Sequence, residues 1–159
     1  MYSIQKKFIL CGIFMLFASS CSEPVDFYYL DGEEARMTDF NDQWLLINYW
    51  AEWCKPCLQE IPELNRFYHQ YGKQYAMLSV SFDKITSQQL KRQAKQYDMH
   101  YPMIASSPTP NLGISMPSVL PANYILSPTG QQFGPLTGPQ TMESILEAFK
   151  QAKLNAAQK

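Results

Sequence analysis

Two cysteines separated by two residues, Cys54-Lys-Pro-Cys57, are the side chains of this sequence best suited to do chemistry. Three positions apart on a helix, they lie one turn from each other, with Cα atoms within disulfide range. A dithiol that opens and closes there exchanges two electrons with a partner. The run Trp44-Leu-Leu-Ile-Asn-Tyr-Trp50 just upstream reads as a strand, and helical spacing begins near Cys54. Cys54 is therefore expected at a helix N-terminus, where unpaired N–H groups and the helix dipole favour a thiolate. Lys55 adds a nearby positive charge. Cys57, one turn further in, should be less exposed. The asymmetry predicts Cys54 as the nucleophile and Cys57 as the resolving thiol.

Glu60 falls on the same helical stripe as both cysteines. A carboxylate there can exchange protons with a thiol, or raise thiol pKa values by repulsion once ionised. A solvated glutamate in the first turns of a helix is equally reasonable, because negative charge is favourable there. Spacing leaves both readings open. Other uses of the cysteines fare worse. A staple closing so short a loop constrains the unfolded chain by about 2 kcal/mol, against about 5 kcal/mol for a long loop. Structural zinc needs four ligands, and His69 and His100 lack the usual spacing, with no second Cys-x-x-Cys present. No metal site is expected. A pair of inert buried thiols is the remaining alternative.

These residues need a scaffold. The sequence has 159 residues, 46% hydrophobic and 17% charged, the composition of one packed domain. Phe27-Tyr-Tyr-Leu30 reads as a short strand ended by Asp31-Gly32, and Trp44–Trp50 as a central strand buried on both faces. Cys54 to Tyr71 reads as a helix with Ile61, Leu64, Tyr68 and Tyr71 on its apolar face, Pro62 as a kink and Gly72 as a stop. Tyr75–Phe82 is a second core strand. Ile85–Tyr97 reads as a helix with Leu90 and Ala94 inward. Most of the eleven prolines fall between Pro102 and Pro139, so elements there must be short. Ala122–Leu126 and Gln132–Leu136 read as a hairpin, and Met142, Ile145, Leu146 and Phe149 as the stripe of a last helix. Strands alternating with helices, then a hairpin and a helix, predict an α/β fold with a central mixed sheet flanked by helices.

The N-terminus reads as an address. Lys6-Lys7, the apolar stretch Phe8–Phe17 and the small residues Ala18-Ser19-Ser20 describe a secretory signal over residues 1–20. The stretch is too short for a membrane span, which takes ~20 residues. Ala18-Ser-Ser-Cys21 resembles a bacterial lipobox, with Ala18 where Leu is usual; the resemblance implies acylation of Cys21 and a lipid anchor. Residues 21–26 would form a tether, 27–153 the domain and 154–159 a tail. Cys54 and Cys57 would then be the thiols left in an exported, oxidising compartment. Net charge is −1, with no basic run longer than a pair such as Lys6-Lys7, which argues against nucleic-acid binding. No apolar stripe beyond the core faces is evident, and a monomer is expected.

Trp-Ala-x-Trp-Cys-x-x-Cys on a strand-to-helix turn resembles the thioredoxin superfamily. Asn48-Tyr-Trp-Ala-Glu-Trp-Cys54-Lys-Pro-Cys57-x-x-Glu60-x-Pro62 is similar to its TlpA/ResA branch of membrane-tethered, extracytoplasmic thiol–disulfide oxidoreductases. The resemblance implies that Glu60 is the active-site carboxylate. Asn48 stands where cytoplasmic thioredoxins carry a buried Asp, and is not expected to transfer protons. Leu120-Pro121-Ala-Asn-Tyr-Ile-Leu-Ser-Pro-Thr-Gly130 resembles the family strand whose first proline is cis and faces the cysteines. Trp53, Leu120 and Pro121 are then the substrate contacts, and Lys55 and Pro56 tune the pair. The family needs no cofactor beyond its own disulfide. It acts on protein disulfides, usually as a reductant, for example keeping apocytochrome c thiols free, and is recharged by a membrane thiol transporter. The location implied is the periplasmic side of the cell envelope. Ser106–Pro117 matches the family poorly. An oxidant of the same fold would carry a helical insertion for which there is little room. A peroxidase cysteine would follow a Thr-x-x pattern. A copper chaperone would want cysteines four apart. A tethering module with a vestigial pair stays open.

Overall fold

The computed structural model describes residues 24–158. The expected signal segment and Cys21 lie outside the described residues. A β-hairpin comes first, β1 (Phe27–Tyr28) against β2 (Glu34–Ala35), followed by a 3-10 turn at Met37–Phe40. Then come β3 (Leu45–Trp50), α1 (Lys55–Tyr71), β4 (Ala76–Ser81), α2 (Ser87–Gln96) and β5 (Met103–Ile104). The chain ends with β6 (Ala122–Leu126), β7 (Gln132–Thr137) and α3 (Met142–Ala156). The five-stranded sheet has the order β5-β4-β3-β6-β7. β4 runs parallel to β3 and β5, and β6 antiparallel to β3 and β7, so the sheet is mixed as the element order implies.

β3 is buried along its whole length, as its continuous apolar run predicts. α1 runs through Pro62 as one helix, with Ile61, Leu64 and Phe67 buried. α2 is shorter than the apolar spacing suggests. It starts after Thr86, whose hydroxyl accepts from the Gln89 N–H while the Gln89 side chain accepts from the Thr86 N–H, and this box sets the boundary. β2, β5 and the 3-10 turn were not legible: two or four residues carry no period to read. α3 runs past the expected domain boundary at Lys153 to Ala156.

Side-chain alternation splits the core in two. Leu46, Trp50, Met77 and Ile125 point to the face where α1, α2 and α3 bury Leu64, Phe67, Leu90, Ile145 and Phe149. There Phe149 stacks on Tyr75 at 4.1 Å and on Phe67 at 5.8 Å, joining α3 to α1 and to the start of β4. Leu45, Ile47, Tyr49, Leu78, Val80, Tyr124 and Leu126 point to the other face. That face has no α-helix over it among the described residues. Phe27, Met37 and Phe40 cover one part, and Leu112 and Ile114 of the proline-rich loop another.

Candidate active site

β3 ends at Trp50, and a tight turn through Ala51 leads to α1. Cys54 is the N-cap of α1, with extended backbone (φ −85°, ψ 92°), and Pro56 occupies the first turn, where a missing N–H goes unnoticed. Cys54 and Cys57 form a disulfide, S–S 2.04 Å with Cα atoms 5.2 Å apart. The Cys57 N–H donates to Cys54 Sγ at 3.2 Å, so a sulfur occupies the position that a capping oxygen usually takes. Cys57 is the less exposed of the two (1% against 4%), and Lys55 lies in solvent.

Glu60 is not a solvated helix-start glutamate. It is 1% exposed. Its Oε1 accepts from Asn48 Nδ2 at 2.7 Å, and its Oε2 from the Gln140 N–H at 3.0 Å and Asn123 Nδ2 at 3.4 Å. Asn48 Nδ2 also donates to Asn123 Oδ1, and Ser79 Oγ donates to Asn48 Oδ1. Ser79, Asn48, Asn123 and Glu60 thus form one buried polar chain running through β4, β3, β6 and α1. Loss of solvation pushes the Glu60 carboxyl from its ordinary 4.5 up to about 7; the bonds from Gln140, Asn48 and Asn123 pull the other way and lose. Burial, and secondarily the charge of Glu60, raises the Tyr101 phenol in the same core. The Tyr101 hydroxyl and Trp50 Nε1 are buried with no hydrogen-bond partner.

β6 brings the second sequence motif to the same end of the sheet. Tyr49 pairs with Ala122, so Pro121 stands across from Trp50, just before the cysteine turn. The Leu120–Pro121 bond is cis, as the strand resemblance implies. The Pro121 carbonyl accepts from the Gly138 N–H. Trp53 is 65% exposed; its Nε1 donates to both Asp83 oxygens (3.0 and 3.2 Å), and its ring meets Phe82 edge-on at 6.2 Å. Cys54, Cys57, Trp53, Lys55, Pro56, Leu120 and Pro121 therefore lie at one end of the sheet, with Glu60 behind them at mid-strand.

Asn48 was expected to play no part in proton transfer; here it holds the carboxylate in place. Asn123, Ser79 and the Gln140 N–H are additions that the motif did not name. The signal for the two asparagines was present: each interrupts an apolar strand run, and a polar residue buried mid-strand must find a partner. Among the described residues no group of His, Cys, Asp and Glu is arranged to hold a metal ion, and no helix is long and apolar enough to cross a membrane.

Known proteins resemble this chain in sequence and in fold. A thiol-disulfide oxidoreductase ResA of Bacillus cereus is 29% identical over 117 residues, 73% of this chain and 67% of that protein. The thioredoxin-like protein YneN of Bacillus subtilis is 31% identical over 64% of this chain and 60% of its own length. Among solved structures, StoA from Bacillus subtilis superposes with a TM-score of 0.65 at 21% identity, covering 77% of this chain and 93% of that one. The exposed lipoprotein thioredoxin Etrx1 from Streptococcus pneumoniae gives 0.63 at 20% identity, covering 79% and 96%. These likenesses confirm the thioredoxin-like fold. The AhpC/TSA family pattern matches residues 23–131, most of the chain, and the protein belongs to that family.

Proposed function

We propose that this protein is an extracytoplasmic thiol–disulfide oxidoreductase that reduces disulfides in protein substrates. The observation that carries the reading is the Cys54–Cys57 disulfide at the N-cap of α1 with the caged Glu60 carboxyl one turn beyond it. In the reduced protein, the Cys54 thiolate attacks one sulfur of a substrate disulfide. A mixed disulfide forms, and the other substrate sulfur leaves as a thiolate that takes up a proton. Cys57, having given up its proton, attacks Cys54 Sγ. The second substrate thiol departs and the enzyme disulfide closes, two electrons having passed to the substrate. Glu60, whose carboxyl titrates near neutrality, accepts the Cys57 proton in that step and returns it when the pair is next reduced.

Trp53, Leu120 and Pro121 receive the substrate strand. The Leu120 N–H and C=O carry no hydrogen bond within the described residues, which leaves a backbone edge for a strand to pair with. Lys55 and Pro56 tune the pair from between the cysteines. Cys21 is the acylation site, which anchors the domain through residues 21–26 on the periplasmic side of a membrane. A membrane thiol transporter supplies the electrons, and apocytochrome c thiols are one fitting substrate class. The signal-like sequence of residues 1–21 supports this placement. Trp50-Ala-Glu-Trp ahead of Cys54 departs from the Thr-x-x pattern of a peroxidase.

The reduction potential of the couple tests the reading, by equilibration with defined thiol buffers. A value below about −220 mV is expected; a value near about −120 mV would make the protein an oxidant.

A further inference from the structure

The sheet face without a helix holds a cavity of about 320 Å³ at the active-site end. Its walls come from Tyr49 of β3, Val80 and Phe82 at the end of β4, and Ile114 and Met116 of the proline-rich loop. Lys84, in solvent, is the one charged residue lining it among those described. At ~30 Å³ per water, the space would hold on the order of ten waters, which is room for one large side chain. Phe82 also meets the ring of Trp53, the residue before Cys54, and so joins the cavity to the cysteine turn. Met116 and Val119 are more than half exposed, as are Trp53 and, on α3, Leu154. Val119 precedes Leu120, whose backbone edge is unpaired. Ser106, on the cavity wall, keeps a buried hydroxyl with no hydrogen-bond partner.

We propose that this cavity is a specificity subsite that takes a large apolar side chain of the substrate polypeptide, from a residue close in sequence to the reacting cysteine. The proposal rests on the oxidoreductase reading above and adds what that reading lacks, a determinant of partner choice. A strand laid along Leu120 with its sulfur at Cys54 sends alternate side chains toward and away from the protein surface. Those directed to the Tyr49 side meet the cavity. Exposed Trp53, Met116 and Val119 give the strand an apolar approach. An acidic or small residue at that position leaves the cavity unfilled.

The test uses disulfide-linked peptides in which one Phe is moved through the positions flanking the cysteine, compared with Ala at each. The wild type should prefer Phe at one position by about tenfold or more in kcat/KM, the scale of apolar-pocket discrimination. Thr109→Trp, an exposed position on the cavity rim, places a ring in the space, and the Phe/Ala ratio should fall toward one. Met116→Asp should lower the same ratio. A second readout needs no turnover. With Cys57→Ser, peptides are trapped as mixed disulfides on Cys54, and the Ile114 and Met116 methyl resonances should shift for the Phe peptide and not for the Ala peptide. Equal rates for Phe and Ala at every position, or a preference unmoved by Thr109→Trp, overturns the subsite while leaving the oxidoreductase reading intact. Failure of the wild type to reduce even a small disulfide such as oxidised glutathione overturns both.

Discussion

Asn48 Nδ2 stands 2.7 Å from Glu60 Oε1, tying the centre of β3 to the early turns of α1 inside the core. The bond positions the carboxyl and lowers its proton affinity, while burial raises that affinity by more. The two effects are separable by mutation.

Removing the charge tests the burial. In the folded protein Glu60 holds its proton up to about pH 7, whereas unfolded it releases it near its ordinary 4.5. A raised folded pKa on an acid means that the folded state binds the proton more tightly, so rising pH penalises folding. The loss begins above about pH 4.5 and is complete above about pH 7, and it amounts to on the order of 3 kcal/mol. Glu60→Gln should lack it. Denaturant unfolding of both oxidised proteins from pH 4 to 8 should show the wild type losing stability relative to the variant across that window. A constant difference would place a solvated glutamate at this position.

Removing the bond tests the positioning. Asn48→Ala leaves Ser79 Oγ and Glu60 Oε1 without their shared partner. The expected cost is about 1–3 kcal/mol of stability. It also removes one of the bonds holding the carboxyl down, so the pH midpoint of disulfide exchange should move up. A purely structural Asn48 would change stability alone.

Gly134, in β7, faces the backbone of Asn123, whose side chain reaches the same carboxylate. It has φ +100°, and a Cβ there would stand 2.9 Å from the Asn123 carbonyl and 3.1 Å from the Leu136 nitrogen. The β6–β7 register shifts at this place. Gly134→Ala should cost about 1–3 kcal/mol through backbone strain. Because Asn123 also contacts Glu60, the pH midpoint of exchange should shift with it. Denaturation curves and pH–rate profiles on one sample read both.

The cysteines should part in a trapping experiment. Turnover should fall to background in Cys54→Ser and in Cys57→Ser. Mass spectrometry of the Cys57→Ser protein with a disulfide peptide should find a stable mixed disulfide on Cys54. The same experiment with Cys54→Ser should find none. The reverse pattern would exchange the two roles.

The aromatic stack predicts stability without chemistry. Phe149→Ala empties a fully buried site between Phe67 and Tyr75 and should cost about 3–5 kcal/mol in denaturant unfolding. Trp53→Ala, at an exposed position, should change stability by less than about 0.5 kcal/mol while lowering kcat/KM for protein substrates several-fold.

What could be read from the sequence follows from how local each signal is. The strand at Leu45–Trp50 announces itself by the run Trp44–Trp50, apolar but for Asn48, and the cysteine turn by its neighbours. The paired strand β5, of two residues, has no such run and exists because β4 offers it an edge. Glu60 was recognisable as a member of the motif, but its environment was not. Its partners come from as far away as Gln140, and that contact is a backbone N–H, which any residue other than proline supplies. Asn48 and Asn123 were visible as interruptions, yet only the antiparallel register of β3 and β6 sets them opposite each other.

The division of the sheet into a helical face and an irregular one has a consequence for engineering. A helix that packs by ridges and grooves tolerates no change of length without losing its register. The segment from Ala105 to Leu120 has no such period, and lengthening a loop is inexpensive, about 0.6 kcal/mol for each doubling. Foreign sequence can therefore be grafted at the exposed stretch 107–109, provided that Leu112 and Ile114, which cover the sheet, are kept. The electron-carrying half of the molecule lies behind the sheet and need not be rebuilt.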